Sequence, residues 1–490
     1  MNDLSSSSGE TAVGLRPSDA ERPLVVDLDE TLVQTDLLIE SLFAFLSANP
    51  LRVLSTPGWL SSMGRARLKA EIARETPIDV ARLPYNPHVL SLISEARASG
   101  RRVYLASASN ERYVEAVANH LGVFDGWFAS SGDENLKSST KAARLTEIFG
   151  ERGFDYVGNE GADLAVWSVA KHCIAVSPSQ AVKAALMKID ANASILNLSA
   201  GGLRAWLKLL RVHQWAKNAL VFVPAFAAHR FDAASVMQAF IAAASFSLAA
   251  SSIYILNDLV DLDADRGHRS KRLRPIAAGT VSIRKALVAC PLLLLLAFAL
   301  GLLLPSSFLA VLAAYLALTT AYTFYLKRMT MVDIVTLASL YTLRVLAGAA
   351  AVAAVPSEWI LAFSMFIFTS LALMKRYVEL TARLDAALPD PTNRNYRKSD
   401  LATLAALAAA SGFNAVTVFA LYIYSEKVHT LYRHPEALWL ICPILLYWVG
   451  RALILADRRL MDDDPIMFAL KDRVSLLSFG LIAAIMVAAA

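Results

Sequence analysis

Residues 24–32 read LVVDLDETL, and this stretch decides the fold of the first part of the chain. Leu24, Val25 and Val26 form an apolar run of the kind found in buried strands. Asp27 and Asp29 follow at a spacing of i, i+2, which places both carboxylates on one side of an extended chain. Because α/β proteins bind ligands where their strands end, the stretch predicts a ligand site at the carboxyl edge of a sheet.

Three further apolar stretches repeat the strand pattern, at 102–106, 154–157 and 173–176, with amphipathic stretches between them. This alternation is typical of a parallel α/β sheet. We expect residues 34–90 to form a long helical insertion after the first strand. Residues 1–21 are Ser-rich and polar without an apolar core, so we expect a disordered tail and no signal peptide.

The whole chain is too apolar for a single soluble domain. Of its 490 residues, 56% are hydrophobic and 18% are charged, and the mean hydropathy is +0.46. Soluble domains carry about 25% charged residues. The three scattered cysteines form neither a disulfide framework nor a metal motif. This composition argues against a soluble globule, a disordered chain and a fibrous repeat.

Apolar runs long enough to cross a membrane recur after residue 200. With nine spans and a cytoplasmic N-terminus, 23 Lys and Arg residues after residue 200 fall on cytoplasmic segments and three on outer segments, when Arg344 and Arg451 are assigned to spans. We therefore expect a multi-pass protein of a bacterial-type inner (cytoplasmic) membrane, with its N-terminal domain and active-site loops in the cytoplasm. The expected spans are about 217–228 (short and interrupted by Pro224), 233–256, 286–304, 308–326, 332–355, 357–374, 401–424, 437–456 and 474–490.

Further polar positions follow Asp27 and Asp29 along the soluble half. Ser107 ends a strand pattern, Lys141 opens a helical stretch, and residues 158–163 read GNEGAD after another strand pattern. Paired carboxylates suit phosphoryl transfer, because one can attack phosphorus while the other handles the proton of the leaving group. A magnesium ion would neutralise the phosphate charge.

These motifs, in this order, resemble the haloacid dehalogenase (HAD) phosphatase superfamily over about residues 22–190. The resemblance implies a Rossmann-like α/β domain in which residues 34–90 form a helical cap. It implies that Asp27 is the nucleophile, that Asp29 is the acid/base, and that Ser107 and Lys141 bind phosphate. The implied Mg²⁺ site consists of Asp27, Asp29, Asn159 and Asp163.

Asn159 departs from the family pattern, because many members have an aspartate at this position. An amide oxygen can coordinate Mg²⁺ but contributes no charge. The alternative to an active phosphatase is therefore a degenerate domain that only regulates or anchors.

A second polar motif lies where the second expected span ends. Residues 257–265 read NDLVDLDAD, and residues 271–279 read KRLRPIAAG. Helical spacing places four of these side chains on one face: Asn257, Asp258, Asp261 and Asp265. Because carboxylates repel a diphosphate, they can hold it only through Mg²⁺, whereas basic side chains meet phosphate oxygens directly. The basic candidates are Lys271, Arg272 and Arg274. A merely solvated loop would explain the basic residues but not the carboxylates on one face.

The nine expected helices, these two motifs and the entry segment RVHQWAKN at 211–218 resemble the UbiA superfamily of intramembrane prenyltransferases over about residues 200–490. The resemblance implies an all-α polytopic membrane domain at 217–490, preceded by a linker and juxtamembrane segment at 191–216. It also implies Mg²⁺, a polyprenyl lipid substrate within the bilayer and a phosphorylated small-molecule donor or acceptor. We expect no nucleic-acid partner.

One departure favours a branch of that superfamily. Residues 374–380 read MKRYVEL, where aromatic prenyltransferases carry a second acidic motif. A cationic site suits an anionic acceptor, and the candidate residues are Tyr322, Lys327, Lys375 and Arg376. This pattern resembles the branch that includes decaprenyl-phosphate phosphoribosyltransferase. It implies transfer of 5-phosphoribose from phosphoribosyl diphosphate to a polyprenyl phosphate, and the HAD domain could then dephosphorylate the product.

Two alternatives stay open. One is a polyprenyl diphosphate-dependent prenyltransferase that acts on an aromatic or other small acceptor. The other is a non-enzymatic membrane protein with a regulatory HAD-like module.

Two local questions are also open. Asp333 and Arg344 face a functional cavity or form a structural ion pair. Residues 463–466, DDPI, form a second acidic site or cap the last span.

Overall fold

A computed structural model describes residues 22–48, 70–131, 135–197, 201–268, 270–391, 394–461 and 464–490. The chain forms two compact units. The first comprises Met1–Leu209 and Ile255–Val288, and the second comprises Leu210–Tyr254 and Ala289–Ala490. The expected tail at 1–21, part of the expected cap at 49–69 and Asp463 lie outside the described residues.

The first unit contains a parallel six-stranded sheet in the order β3-β2-β1-β4-β5-β6. This order reverses direction at β1, so the carboxyl ends of β1 and its neighbours form a crevice where ligands bind in open α/β sheets. The four expected strands are present, and β3 and β6 are additional. The strand expected at 102–106 continues to Asn110, so Ser107 lies within it and not at its end. The strands are β1 (Leu24–Val26), β2 (Val103–Asn110), β3 (Gly126–Ser130), β4 (Asp155–Gly158), β5 (Cys173–Val176) and β6 (Ser194–Leu196).

Alternation along the strands builds a core on each face of the sheet. Leu24 and Val26 pack into one core with the helices Pro87–Ala98 and Glu111–Leu121. Val25 points the other way and packs with Leu145 and Trp167. Both faces are covered, which explains why β1 is apolar throughout.

Among the described residues, seven helices with complete bounds connect or flank these strands. Asn86 caps the second of them by accepting a hydrogen bond from the His88 backbone, and Pro87 occupies its first turn, where a missing N–H costs nothing. The helices are α1 (Leu37–Ala48), α2 (Pro87–Ala98), α3 (Glu111–Leu121), α4 (Ser139–Phe149), α5 (Leu164–Trp167), α6 (Gln180–Ile189) and α7 (Gly202–Leu209).

The remainder of the chain is helical, and the described residues contain seven helices long and apolar enough to cross a membrane. The chain is therefore consistent with a multi-pass membrane protein, and the expected count of nine spans is not confirmed. These helices are Ala233–Val260, Ile283–Gly301, Ser306–Phe324, Val332–Ala351, Glu358–Asp385, Lys398–Ile423 and Pro435–Asp457.

Two expected spans are shorter than the others. The last is the helix Arg473–Ala489, which has 17 residues. The first is divided into a 3₁₀ segment, Val212–Phe222, and a short helix, Val223–Ala227. Pro224 lies at the start of that short helix, because proline fits only the first turn.

The helix Val332–Ala351 is central to the second unit. In its most apolar window, 67% of the residues are buried, against 28% for Ser306–Phe324. Polar side chains on the central helix therefore require partners inside the protein.

Candidate active sites

The first candidate site lies where β1 ends, as the sequence predicts. The Asp27 backbone N–H donates to the Val157 carbonyl of β4 at 2.9 Å, which fixes Asp27 between the two strands. Asp27 Oδ1 accepts a hydrogen bond from Lys141 Nζ at 2.7 Å. Lys141 reaches this point from the first turn of α4. The structure thus brings together the expected nucleophile and an expected phosphate ligand, which are 114 residues apart.

Asp29 is held by three donors on its two oxygens. Ser107 Oγ and Ser109 Oγ donate to Oδ2 at 3.1 and 2.6 Å, and the Leu37 backbone N–H donates to Oδ1 at 2.8 Å. These bonds orient the expected acid/base. Ser107 contacts Asp29, and Ser109 is a member of the site that the sequence analysis did not identify.

Asp163 is the third carboxylate of this site. Tyr156 donates its hydroxyl hydrogen to Oδ1 at 2.8 Å, and the Asn159 and Glu160 backbone N–H groups donate to Oδ2 at 2.9 and 3.0 Å. Gly158 is required here, because a Cβ at this position would lie 2.7 Å from the carboxylate of Asp163. Lys141 Nζ lies 3.8 Å from Asp163 Oδ1, so one ammonium group serves two carboxylates.

The site carries more negative than positive charge. Burial raises the pKa of Asp27 to about 7; Lys141 opposes this shift, whereas Asp163 and Asp29 add to it. Burial and the charge of Asp36 also raise the pKa of Asp29, despite its hydrogen bonds. A divalent cation would compensate this excess charge.

Mg²⁺ fits the chemistry of this donor set. Within the described ranges, no cluster of three or more His, Cys, Asp or Glu side chains forms a preformed metal centre. Mg²⁺ does not need one, since it keeps several waters and binds through one or two carboxylates together with substrate phosphate. Asp27 and Asp163 converge on Lys141 and supply two such carboxylates. Asn159 contacts Asp163 through its backbone and is absent from the cavity lining.

A cavity of about 120 Å³ opens over these residues. Its lining contains Asp27, Asp29, Lys141 and Asp163, as expected. Four charged residues were not expected from the sequence: Asp36, Lys137, Glu160 and Arg284. Glu160 stands within the GNEGAD motif, whereas Arg284 lies far along the chain and offers no local signal.

The polar motif at 257–265, called the acidic motif below, retains helical spacing across a break in the helix. The helix Ala233–Val260 ends before Asp261, which precedes the short helix Leu262–Arg266. The Asp261 N–H donates to the Asn257 carbonyl, and the Asp265 N–H donates to the Asp261 carbonyl, at 2.9 and 2.8 Å. The i, i+4, i+8 relationship therefore persists through the break.

Arg274 bridges two carboxylates of the motif. Its Nη1 lies 3.1 Å from Asp258 Oδ1 and 2.6 Å from Asp265 Oδ2, and both carboxylates are buried. Burial raises the pKa of Asp265 to about 6, although Arg274 opposes the shift. Two buried carboxylates facing one cation form a donor set that also suits Mg²⁺. Lys271 and Arg272 belong to a neighbouring 3₁₀ turn, Lys271–Leu273, in which Arg272 is exposed.

In the second unit, the expected anion-binding residues divide between two clusters. Arg376 is buried and pairs through Nε with Asp333 Oδ2 at 2.9 Å, and it also contacts Glu379. Tyr322 joins this cluster through Arg376 at 3.5 Å and Arg394 at 3.2 Å. Asp333 thus pairs with Arg376 and not with Arg344. Lys327 is half-buried and follows in the turn Leu326–Arg328.

The other cluster surrounds Asp464. Lys217 forms an ion pair with Asp464, and Lys217 and Lys375 lower the pKa of Asp464 against the opposing effect of burial. Asp464 also accepts from the Ile466 and Met467 backbone N–H groups, so it caps the short helix Pro465–Ala469. The remaining part of the DDPI motif, Asp463, lies outside the described residues. Lys217 is a site candidate that the sequence analysis did not single out.

Arg344 is buried among uncharged partners. Its Nε donates to Asn218 Oδ1 at 3.0 Å, its Nη2 contacts the Tyr315 hydroxyl at 3.3 Å, and its Nη1 donates to the Leu340 carbonyl at 2.7 Å. Across the described residues, no carboxylate lies within ion-pair distance of its guanidinium. Arg344 therefore forms no ion pair with Asp333, and a role in binding stays a prediction.

Comparisons with known proteins match both parts of the chain. Residues 219–470 match the model of the UbiA prenyltransferase family. Residues 24–166 match the model of the haloacid dehalogenase-like hydrolases. The two matches cover the acidic motif and the Asp27 cavity respectively, apart from Arg284, which falls within the first match.

The chain is also similar to individual proteins. The chain is 36% identical to the uncharacterized protein y4nM of Sinorhizobium fredii over 96% of this chain and 92% of that protein. It is 38% identical over 189 residues to decaprenyl-phosphate phosphoribosyltransferase of Mycobacterium tuberculosis, covering 38% of this chain and 61% of that enzyme. The structure of a UbiA homolog from Archaeoglobus fulgidus, bound to GPP and Mg²⁺, matches 58% of this chain and 97% of its own with 19% identity and a TM-score of 0.45.

Proposed function

The chain belongs to the UbiA prenyltransferase family, and from this premise we propose that it is a Mg²⁺-dependent polyprenyl-phosphate phosphoribosyltransferase with a fused phosphatase. The donor would be 5-phosphoribosyl diphosphate and the acceptor a polyprenyl phosphate. The HAD-like region would then remove the 5-phosphate of the product. The observation that carries the transfer step is the buried pair Asp258 and Asp265, bridged by Arg274.

These carboxylates suit the diphosphate end of the donor. Asp258 and Asp265 would hold Mg²⁺, together with Asp261 and Asn257 of the same motif. When bound there, the metal would supply positive charge to the diphosphate leaving group. Arg274, which now neutralises the two carboxylates, would be released to donate to phosphate oxygens, and Lys271 and Arg272 would add charge from the adjacent turn.

The cluster around Asp464 suits an anionic acceptor. Lys217, Lys375 and Arg344 provide three cations against the single carboxylate of Asp464. A net positive environment favours a polyprenyl phosphate over a neutral aromatic acceptor. The similarity to decaprenyl-phosphate phosphoribosyltransferases supports the same choice.

The proposed transfer forms one bond and breaks one bond. A phosphate oxygen of the acceptor forms a bond to the anomeric carbon of the donor, while the bond from that carbon to the diphosphate oxygen breaks. Diphosphate departs with the electron pair. The product is a polyprenyl phosphoribose that keeps its 5-phosphate.

The HAD-like cavity would process that remaining phosphate. Asp27 would attack phosphorus, and Asp29 would donate a proton to the departing ribose oxygen. Asp29 would then take a proton from the water that cleaves the aspartyl phosphate. Lys141 would neutralise phosphate oxygens, and its pairing with Asp27 positions it for this role. Fusion to the transferase would raise the local concentration of the intermediate.

The organisation of the chain is part of this proposal. We propose a hydrolase domain at 22–190 and a transferase domain at 217–490, joined by a linker. We also propose that the phosphatase and the acidic motif face the cytoplasm of a bacterial inner membrane, as the distribution of Lys and Arg indicates.

The test is Mg²⁺-dependent diphosphate release by the purified full-length protein in detergent. One reaction receives 5-phosphoribosyl diphosphate and a polyprenyl phosphate, and the other receives a polyprenyl diphosphate and 4-hydroxybenzoate. We expect release only in the first reaction, and loss of release in the Asp258→Asn variant. Release only in the second reaction would replace this proposal with an aromatic prenyltransferase.

The phosphatase step has its own test. Mass spectrometry of the lipid product should show loss of one phosphate in the wild-type reaction. The Asp27→Asn variant should accumulate the phosphorylated lipid at an unchanged rate of diphosphate release. Accumulation of that lipid by the wild-type protein would show that the HAD-like region does not act on it.

A further inference from the structure

The segment that follows the acidic motif contributes to the phosphatase cavity. Residues Ile255–Val288 belong to the same compact unit as the N-terminal region. Within this unit, Arg266 pairs with Glu40 and Ser282 donates to Glu30. Gly279 explains how closely the segment approaches: its φ is +70°, and a Cβ there would lie 2.5 Å from Gln34 Cβ.

Arg284 extends from this segment into the cavity that contains Asp27. Its Nη2 lies 2.7 Å from Asp36 Oδ2, and its Nη1 lies 2.6 Å from Glu160 Oε2 and 3.4 Å from Glu30 Oε2. Its Nε also donates to Asp36 at 2.8 Å. These carboxylates orient the guanidinium but do not saturate its five N–H donors, and 38% of the side chain remains exposed.

The cavity therefore contains cationic side chains at two depths, in each case among carboxylates. Lys141, only 5% exposed, lies at the buried carboxylates Asp27 and Asp163. Arg284 and Lys137 lie at the rim, where both contact Glu160 and where Lys137 is 50% exposed. Burial opposes ionisation of Glu160, but the two cations outweigh burial and lower its pKa.

We propose that Arg284 and Lys137 form a second phosphate-binding locus, which recognises the phosphodiester of a lipid-linked sugar phosphate while Asp27 and Lys141 act on its terminal phosphate. This assignment rests on the proposed function, whose intermediate carries these two phosphate groups. A planar guanidinium binds phosphate through two parallel hydrogen bonds, so Arg284 makes the larger contribution to specificity.

The position of Arg284 in the chain fits this substrate class. Arg284 is the second residue of the helix Ile283–Gly301, which is long and apolar enough to cross a membrane. Basic side chains at the ends of such helices lie at the level of the lipid headgroups. The phosphodiester of a polyprenyl-linked sugar is confined to the same level, because its hydrocarbon chain stays in the bilayer.

Binding of two matched ligands tests the proposal. Ribose 5-phosphate and ribose 1,5-bisphosphate share the terminal phosphate and differ in the second one. Calorimetry uses the full-length protein with Asp27→Asn to prevent turnover and Asp258→Asn to silence the acidic motif. We expect this parent protein to bind the bisphosphate about ten- to hundredfold more tightly than the monophosphate, the range expected for hydrogen bonds to a charged group.

Arg284→Gln should reduce this preference to less than about threefold, the residual contribution of Lys137, without changing the affinity for ribose 5-phosphate. The control is Lys285→Gln, which alters the adjacent, exposed cation and should keep the preference of the parent protein. Should the Arg284→Gln protein fail to fold, Arg284→Lys keeps the charge and should reduce the preference through loss of the bidentate geometry.

An unchanged preference, or an equal loss of affinity for both ligands, would overturn the proposal and assign Arg284 to a purely structural ion-pair network. Phosphate release from polyprenyl phosphoribose 5-phosphate is measured separately, with Asp27 and Asp258 intact. Absence of that release would contradict the proposed phosphatase while leaving the binding comparison valid, so the two failures are distinguishable.

Discussion

The ammonium group of Lys141 lies 2.7 Å from Oδ1 of Asp27, and both side chains are almost completely buried. The same ammonium lies 3.8 Å from Asp163 and 2.9 Å from the Tyr156 hydroxyl. One cation therefore holds together the carboxylates that arrive from β1 and from the loop after β4. Removal of the Lys141 ammonium group would therefore affect both the stability of the fold and the activity of the site.

Lys141→Met should abolish phosphate release and lower the free energy of unfolding of this region by about 3–5 kcal/mol, the cost of breaking a buried ion pair. The matched control is Arg144→Met on the same helix, where an exposed pair with Glu147 at 2.8 Å is lost. The control should change stability by less than about 1 kcal/mol. Denaturant unfolding monitored by tryptophan fluorescence and a phosphate-release assay measure both effects. Full activity of the Lys141→Met protein would remove Lys141 from the site.

Mg²⁺ should stabilise the folded protein through Asp27 and Asp163. At a concentration one hundred times the dissociation constant, a ligand that binds only the folded state contributes about 2.7 kcal/mol. The protein used carries Asp258→Asn, which weakens the acidic motif. We expect Mg²⁺ to raise its midpoint of thermal unfolding. Adding Asp163→Asn should remove most of this rise.

Asn159→Asp provides the informative comparison for the metal site. Asn159 contacts Asp163 through its backbone and is not part of the cavity lining, so the added carboxylate should change the Mg²⁺ dissociation constant by less than about threefold. A much larger gain in affinity would place the side chain of Asn159 at the metal and restore the importance of this departure from the family pattern.

The strongest local patterns predicted the elements that position the cavity at Asp27. β1, β2, β4 and β5 were expected because their stretches are rich in apolar and β-branched residues, and Asp27 follows directly from β1. β3 lies mostly half-buried and β6 has only three half-buried residues, so neither shows a comparable run. The helical spacing of the acidic motif also predicted the proximity of Asp258 and Asp265, which Arg274 now bridges.

Long-range partners could not be predicted in the same way. Arg284 meets Asp36 across 248 positions and Glu160 across 124, and nothing in the local pattern around a basic residue names such partners. Arg376 and Lys375 are adjacent in sequence and looked equivalent. The helix directs one toward Asp333 and places the other near Asp464, because successive helical residues point in different directions.

The Lys217–Asp464 pair should make stability depend on pH. The pKa of Asp464 in the folded protein is lowered, so its contribution is present above the ordinary carboxyl pKa of 3.8 and is lost as the pH falls below that value. We expect the midpoint of thermal unfolding in detergent to fall between about pH 4 and pH 2. Lys217→Met should flatten this part of the profile, because it removes the largest interaction that lowers the pKa.

The matched control for this profile is Arg459→Met, which removes an exposed pair with Asp385 and should leave the acid limb unchanged. If the wild-type and Lys217→Met proteins lose stability over the same acidic pH range, Lys217 does not lower the pKa of Asp464. Asp464→Asn complements the test, because it leaves Lys217 buried without its carboxylate and should lower stability at neutral pH as well.

Substitutions of Arg376 and Lys375 should distinguish a structural role from a role in substrate binding. Arg376 pairs with Asp333, which is fully buried and also accepts from Tyr396 at 2.5 Å. Arg376→Met would leave the carboxylate of Asp333 with weaker charge compensation, and we expect the free energy of unfolding to fall by about 3–5 kcal/mol.

Lys375 is only half-buried and contributes positive charge near Asp464. Lys375→Met should therefore retain stability within about 1 kcal/mol and raise the KM for polyprenyl phosphate about tenfold, as expected for loss of one contact to a charged group. Unfolding midpoints and the KM from diphosphate release distinguish the two variants. A stable Arg376→Met protein with a raised KM would instead place Arg376 against the acceptor phosphate.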